Sequence, residues 1–218
     1  PQAVDVLPNN QPLRGVIHAA GTLWDQRIDA IDAVGLETVL SAKWGVGEQL
    51  QQVQQRQPEA WLQLDFQLVF SSLAAGVGSP GQLVYGAANA ALEANCMSTE
   101  HAEQPDGPLR LAIQWGPWGG TGMAAGLEKR FEAVGLKPLQ DSEAFEALER
   151  LLQRGRSGVV TVMAADWPRL VGQALPRQAA WFQALLPEAS GRSEAQVRAQ
   201  LEALPMGQRH PWLLATDR

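Results

Sequence analysis

A chain of 218 residues with 45% hydrophobic and 18% charged side chains holds enough apolar material for one sizeable domain and is not a disordered polyelectrolyte. Its net charge of −6 and pI near 5.1, with no Lys/Arg cluster, speak against nucleic acid or an anionic membrane as partner, since both need a concentrated positive face. Cys96 is the single cysteine, which excludes an intrachain disulfide and a multi-cysteine metal site and fits a reducing, cytoplasmic setting.

The opening PQAVDVLPNN has no basic segment followed by an apolar one, so it does not read as a secretory signal, and residues 1–12 read as a connector. No apolar run reaches membrane-spanning length. LRGVIHAAG (13–21) reads as a buried strand entering a tight turn. From about Asp25 to Gln55 apolar residues recur at helical intervals, and Pro58 marks the stop. FQLVFSS (66–72) is a second predicted strand, followed by the Gly-rich loop LAAGVGSPGQ and a helix carrying Tyr85. LRLAIQW (109–115) is a third strand, leading into the loop GPWGGTGMAAG. A helix over about 141–153, a strand at 158–163 and a helical stretch around DWPRLVGQ follow. The character changes after LLPEASG, where SEAQVRAQLEALP opens a new helical pattern. Alternating strands and helices with near-continuous apolar strands predict an α/β, doubly wound parallel sheet. Ligands in such sheets bind beyond the carboxyl ends of the strands, which directs attention to HAAG, SSLAAG and WGPWGG.

Residues 76–81, GVGSPG, match G-x-G-x-x-G formally. Four residues separate the strand end from the first glycine, and Pro80 stands where a helix would receive a pyrophosphate, so a loop over a site is the better reading. Tyr85, the only tyrosine, and Asn89 stand four residues apart and share one helix face. A phenol of pKa about 10 is a poor acid–base group unless a cation stabilises its phenolate, and Lys43 on the preceding helix is the natural candidate. With the Ser72 hydroxyl holding a carbonyl oxygen, these groups form a set able to protonate an alkoxide. The alternative is a Tyr–Asn pair used for packing. His18, inside an apolar strand with no partner carboxylate near in sequence, reads as a buried structural histidine. Asp25 is balanced between an N-cap and a substrate-facing role. Trp115 and Trp118 either wall a pocket or cover the sheet end.

Taken together and in order, LRGVIHAAGTLWD, SAKWGVGEQL, FQLVFSSLAAGVGSPGQLVYGAANAALEA and LAIQWGPWGGTGMAA closely resemble the ketoreductase domains of modular polyketide synthases, within the short-chain dehydrogenase/reductase superfamily. The resemblance extends over roughly residues 10–186. It implies a Rossmann-like fold and an NADPH-dependent reduction of a carrier-bound 3-oxoacyl thioester to the 3-hydroxyacyl thioester. By motif, Tyr85 resembles the proton donor and Ser72 the hydrogen-bond donor to the carbonyl. Lys43 resembles the lysine that lowers the tyrosine's pKa and anchors the cofactor ribose, and Asn89 the motif's asparagine. Lys and Asn have exchanged places relative to the commoner Y-x-x-x-K, as is typical of synthase-embedded reductases.

The resemblance also assigns Ala19, Ala20, Gly21, Pro117 and Trp118 to cofactor contacts, and Asp25, Gln82, Trp115 and Met123 to the substrate side. Leu23–Trp24–Asp25 keeps the last Asp of a Leu-Asp-Asp marker, and Val77 stands where the opposite stereochemical type has tryptophan. A D-configured (B-type) alcohol is thus the expected product. The strand, Gly-rich turn and helix that cradle the pyrophosphate in that family are not in this chain, so residues 13–188 correspond to the C-terminal part of such a domain. A nucleotide-binding N-terminal segment is an expected partner. Residues 189–218 resemble a linker and the start of an acyl carrier domain, whose phosphopantetheine-bound chain would be the substrate. The rival expectation is a non-catalytic fragment, or a half-domain active only when complemented.

Overall fold

A computed structural model describes residues 13–57, 59, 61, 63–97, 107–120, 123, 126–186 and 212–214. The expected connector 1–12 lies outside these residues, as does the carrier-like 189–218 apart from the backbone of Trp212–Leu214. Two compact units are present. The first runs to Trp115 and takes in Glu149–Val160, and the second holds Gly116–Leu148 and Thr161 onward.

In the first unit β1 (Gly15–His18) leads to two consecutive helices, α1 (Ala33–Leu40) and α2 (Val46–Arg56), joined by one π-helical turn over Ser41–Gly45. The single helix expected from Asp25 therefore begins only at residue 33. The residue ahead of it, Asp32, is extended, and its carboxylate accepts from Gly35 N at 2.7 Å, which supplies the N-cap. Gly35, Val39, Lys43 and Gly47 are all buried at four-residue steps. An α-helix drifts about 40° per such step, and the wider π turn takes up that drift at Lys43.

The strand β2 (Phe66–Ser72) and the strand expected at 109–115 have the predicted limits. The loop expected between residues 73 and 82 instead begins with a helical turn, α3 (Leu73–Gly76), and α4 (Leu83–Met97) follows. Next comes β3 (Leu109–Trp115). β1, β2 and β3 lie parallel, with Ile17 opposite Leu68 and Ser71 opposite Gln114. On one face of the sheet Val69 and Ala112 pack on Leu92 and Cys96 of α4. Val39, Val84, Tyr85 and Ala88 form a neighbouring cluster with Leu23, Ile31 and Leu40. Each fully buried aliphatic side chain in these clusters contributes about 1.5–3 kcal/mol.

The second unit contains two elements the periodicity did not reveal, α5 (Glu128–Ala133) and the two-residue β4 (Leu136–Lys137). Next along the chain are α6 (Asp141–Arg154) and β5 (Gly158–Ala165), each slightly longer than expected and each divided between the two units at the boundaries given above. β4 runs antiparallel to β5, and the sheet order is β1-β2-β3-β5-β4. Asp166 caps α7 (Trp167–Gln173) by accepting from Arg169 N at 3.2 Å. A 3-10 segment follows over Pro176–Leu185, and β6 (Trp212–Leu214) lies parallel to β5.

Gly135 turns the chain into β4 at φ +88°, and a Cβ there would stand 2.6 Å from Leu170 N and 2.9 Å from Asp166 O. Both neighbours are backbone and cannot yield. Gly135→Ala is expected to destabilise the second unit by about 2–4 kcal/mol, read as a lower denaturation midpoint.

No helix among the described residues is long and apolar enough to cross a membrane.

Candidate active site

Ser72 ends β2 in extended conformation (φ −139°, ψ 148°), and its Oγ accepts from Ala74 N at 3.2 Å, capping α3. The hydroxyl is thereby fixed at the carboxyl edge of the sheet. α4 starts beyond the next turn, and Gly86 is what allows its first turn close to α3: a Cβ there would lie 2.9 Å from Ala74 O. That contact explains the glycine directly after Tyr85, which spacing alone left without a role.

Tyr85 is 7% exposed and hydrogen-bonds with Ser72 and Asn89. Asn89 is fully buried. Its Nδ2 donates to Tyr85 O at 2.8 Å, and its Oδ1 has no hydrogen-bond partner among the described residues. Ser72, Tyr85 and Asn89 are thus brought together as the motifs imply.

Lys43 departs from expectation in its electrostatics. It is 2% exposed, and its Nζ donates to Phe70 O at 2.7 Å, two residues before Ser72 on β2. Burial brings its pKa down to about 8. The Tyr85 phenol, expected to be lowered by this lysine, is instead raised. Burial is the largest cause; hydrogen bonds from Asn89 and Ser72 oppose it, and the Asp25 carboxylate adds to it. The reason is that burial removes the hydration a phenolate would need, a penalty the two opposing hydrogen bonds do not offset. A raised phenol remains protonated at neutral pH, the state a proton donor needs.

Asp25 is not an N-cap. It accepts from Gln82 Nε2 at 3.1 and 3.3 Å, and Gln26 N donates to Gly81 O at 2.9 Å, so the loop after β1 is tied to the loop before α4. Asp25 and Gln82, both assigned to the substrate side, therefore face each other beside the phenol.

Ala19, Ala20 and Gly21 form an exposed turn after β1. A Cβ on Gly21 would fall 2.7 Å from Lys43 Cε and 3.2 Å from its Nζ. The glycine thus leaves the lysine its position, a cradle of the kind a nucleotide ribose fits. Since the far end of a flexible side chain gives way more readily than backbone, Gly21→Ala is expected to preserve folding and displace the ammonium. Activity should fall about 10- to 100-fold, with the denaturation midpoint little changed.

His18 is buried as expected. Its pKa is lowered by burial first and by the Lys43 charge second, against a hydrogen bond to the Ala42 backbone. Trp115 is buried at the end of β3, its ring tilted on Phe70 with centroids 5.4 Å apart, so it covers the sheet end. Pro117, Trp118 and Met123 belong to the second unit. There Leu139 N donates to Pro117 O at 2.8 Å, the Trp118 ring meets the Phe145 ring edge-on at 5.9 Å, and Met123 is exposed.

A model of the KR domain family matches residues 2–120. A mycocerosic acid synthase-like polyketide synthase of Mycolicibacterium smegmatis is 34% identical over 89% of this chain. A pikromycin polyketide synthase component of Streptomyces venezuelae is 31% identical over 82% of it. The chain spans only 9% and 5% of the length of these two relatives. Among solved structures, the first ketoreductase of the tylosin synthase superposes with a TM-score of 0.66 at 34% identity, covering 82% of this chain and 37% of that one. An A-type ketoreductase from a modular polyketide synthase gives 0.68 at 28% identity, covering 78% and 34%. With more than half its length matched by the family model, and an α/β fold shared with these structures, the chain belongs to the ketoreductase domains of modular polyketide synthases.

Proposed function

We propose that this chain supplies the acid–base machinery for NADPH-dependent reduction of a carrier-bound 3-oxoacyl thioester to the D-configured 3-hydroxyacyl thioester. The observation that carries this reading is the half-buried Ser72 hydroxyl, held by Ala74 N at the carboxyl edge of the sheet, with the buried Tyr85 phenol close enough to be acted on by it.

Bound nicotinamide cofactor supplies the hydride. Ser72 and Tyr85 donate hydrogen bonds to the substrate carbonyl oxygen and stabilise the negative charge that develops on it. The Tyr85 hydroxyl proton passes to that oxygen, leaving a phenolate that is reprotonated from solvent. Lys43, cationic below about pH 8, holds the ribose side together with the Ala19–Ala20–Gly21 turn. Asn89 braces the first turn of α4 through Tyr85 O. Asp25 and Gln82 orient the acyl chain, and Asp25, the retained last residue of the stereochemical marker, favours the D-alcohol. The partner is an acyl carrier domain whose phosphopantetheine arm presents the substrate.

A second reading, a half-domain active only when complemented by an N-terminal nucleotide-binding segment, is favoured by one feature. Among the described residues β1 is the last strand in the order, and its Ile17 is 54% exposed. An open edge of this kind is a template for a further strand.

The test is to supply the natural full-length polypeptide with NADPH and a 3-oxoacyl thioester, follow cofactor oxidation, and resolve the product alcohols on a chiral column. NADPH-dependent formation of the D-alcohol is the expected result. An L-alcohol would remove the Asp25 assignment, and no turnover with either nicotinamide cofactor would remove the enzymatic reading.

A further inference from the structure

Directly beneath the site lies a polar cluster that the chemistry above does not use. Ser71 and Gln114 are register partners on β2 and β3, so their side chains leave the sheet on the same face, toward α4. Glu93 meets both of them there. The Ser71 hydroxyl donates to Glu93 Oε1, and Gln114 Nε2 donates to Oε1 and Oε2 at 3.1 and 3.0 Å. All three residues are buried. The cluster also touches α3, because a Cβ on Gly76 would lie 2.5 Å from Gln114 Oε1. One carboxylate thus joins β2, β3 and α4, with α3 against its amide partner. These elements carry Ser72, its cap partner Ala74, Tyr85 and Asn89.

On the helix Glu93 follows Asn89 by four residues and Tyr85 by eight, so the three lie along one stripe. On the strand Ser71 is the immediate neighbour of Ser72. Burying a carboxylate in this apolar layer carries a desolvation penalty that leucine would not. That penalty is visible in the raised pKa of Glu93, which the hydrogen bonds from Ser71 and Gln114 only partly offset. Apolar packing of α4 on the sheet, through Val69, Leu92, Cys96 and Ala112, is non-directional and tolerates sliding. Three hydrogen bonds to one carboxylate do not.

We propose that Glu93, clamped between Ser71 and Gln114, is a positioning residue that fixes the Ser72 hydroxyl relative to the Tyr85 phenol. This rests on the reductase reading for its catalytic consequence, but not for the clamp itself. An amide can replace the carboxylate, accepting from Gln114 with its oxygen and donating to Ser71 Oγ with its NH2. Glu93→Gln is therefore the rescuing substitution and Glu93→Ala the disruptive one. Ser71→Ala removes a single leg without opening a large cavity.

The experiment uses the natural full-length polypeptide with two readouts, steady-state reduction of a 3-oxoacyl thioester and hydrogen–deuterium exchange of peptides spanning residues 66–76. Glu93→Ala is expected to lower kcat about 10- to 100-fold with KM changed less than about threefold, because misplacement by an ångström weakens the transition state more than binding. Ser71→Ala should lose about three- to tenfold, and Glu93→Gln should return kcat to within about threefold of the parent. Exchange at 71–76 should accelerate in Glu93→Ala and Ser71→Ala and not in Glu93→Gln. If Glu93→Ala does not fold, Ser71→Ala alone decides. Unchanged kcat in the disruptive variants of an active parent overturns the positioning role. If even the parent fails to reduce the thioester, the reductase reading falls and exchange alone judges the clamp: unchanged protection at 71–76 overturns it.

Discussion

Replacing Tyr85 by phenylalanine is expected to lower kcat for thioester reduction by about 10²- to 10⁴-fold, the range in which a positioned general acid acts. KM should change little, because phenylalanine keeps the ring contacts with Val39, Val84 and Ala88. Folding should survive as well. The lost hydroxyl takes with it hydrogen bonds to Ser72 and Asn89, a loss of about 1 kcal/mol per bond, small against the burial of the ring. The residual rate belongs to Ser72, which still donates to the carbonyl oxygen. Steady-state kinetics with a denaturation midpoint for each protein checks both halves of this statement. Turnover that persists at the parent rate removes Tyr85 from the chemistry. The phenol is raised above its ordinary value, so Tyr85 stays protonated through neutral pH, and a falling limb of the rate near pH 8 would belong to Lys43.

The second large effect separates activity from stability. Lys43→Met is expected to reduce kcat/KM about 10²-fold or more, since it removes the ammonium proposed to hold the ribose side of the cofactor in place. Its effect on stability runs the other way. Burial brings Lys43 from 10.5 to about 8, which at about 1.4 kcal/mol per pH unit makes the charged form cost about 3 kcal/mol. Against this, Phe70 O loses its 2.7 Å donor, a penalty of about 1–3 kcal/mol. The expected net at pH 7 lies between neutral and about 2 kcal/mol stabilising. The pH dependence supplies the sign. Between pH 8 and 10.5 the unfolded lysine holds its proton and the folded one has released it, so this group makes stability rise with pH in that window. The rise should be present in the parent and absent from Lys43→Met. Denaturation midpoints at pH 7 and pH 10 measure it, and a strongly destabilised variant at pH 7 would show that the buried ammonium is not the burden described.

Much of this was legible because the apolar pattern and the chain's breaks agree. FQLVFSS and LRLAIQW are near-continuous apolar runs bounded by small or charged residues, and both strands have the limits read from them. Ser72, Tyr85 and Asn89 were accessible because each sits at a position set by local geometry, a strand end or a four-residue helical step. α5 and β4 were not accessible. They occupy eight residues in all, too short to display a period, and β4 exists because residues far along the chain, Ala164 and Ala165, pair with it. The start of α1 was misplaced because apolar residues from Ile28 onward mimic helical spacing, while the true boundary is the single hydrogen bond from Gly35 N to Asp32.

Sequence by itself determined the alternation of strands and helices, the identity of the hydroxyl, phenol, amide and ammonium groups, and the family they belong to. All of these are encoded in local spacing and residue type. Only the tertiary structure decided what those groups experience. The Tyr85 phenol is raised rather than lowered, Lys43 is held by a strand carbonyl 27 residues away, and a glutamate inside ANAALEANC fastens two strands to a helix. Desolvation and hydrogen-bond geometry depend on neighbours brought close by folding, and no spacing along the chain specifies them.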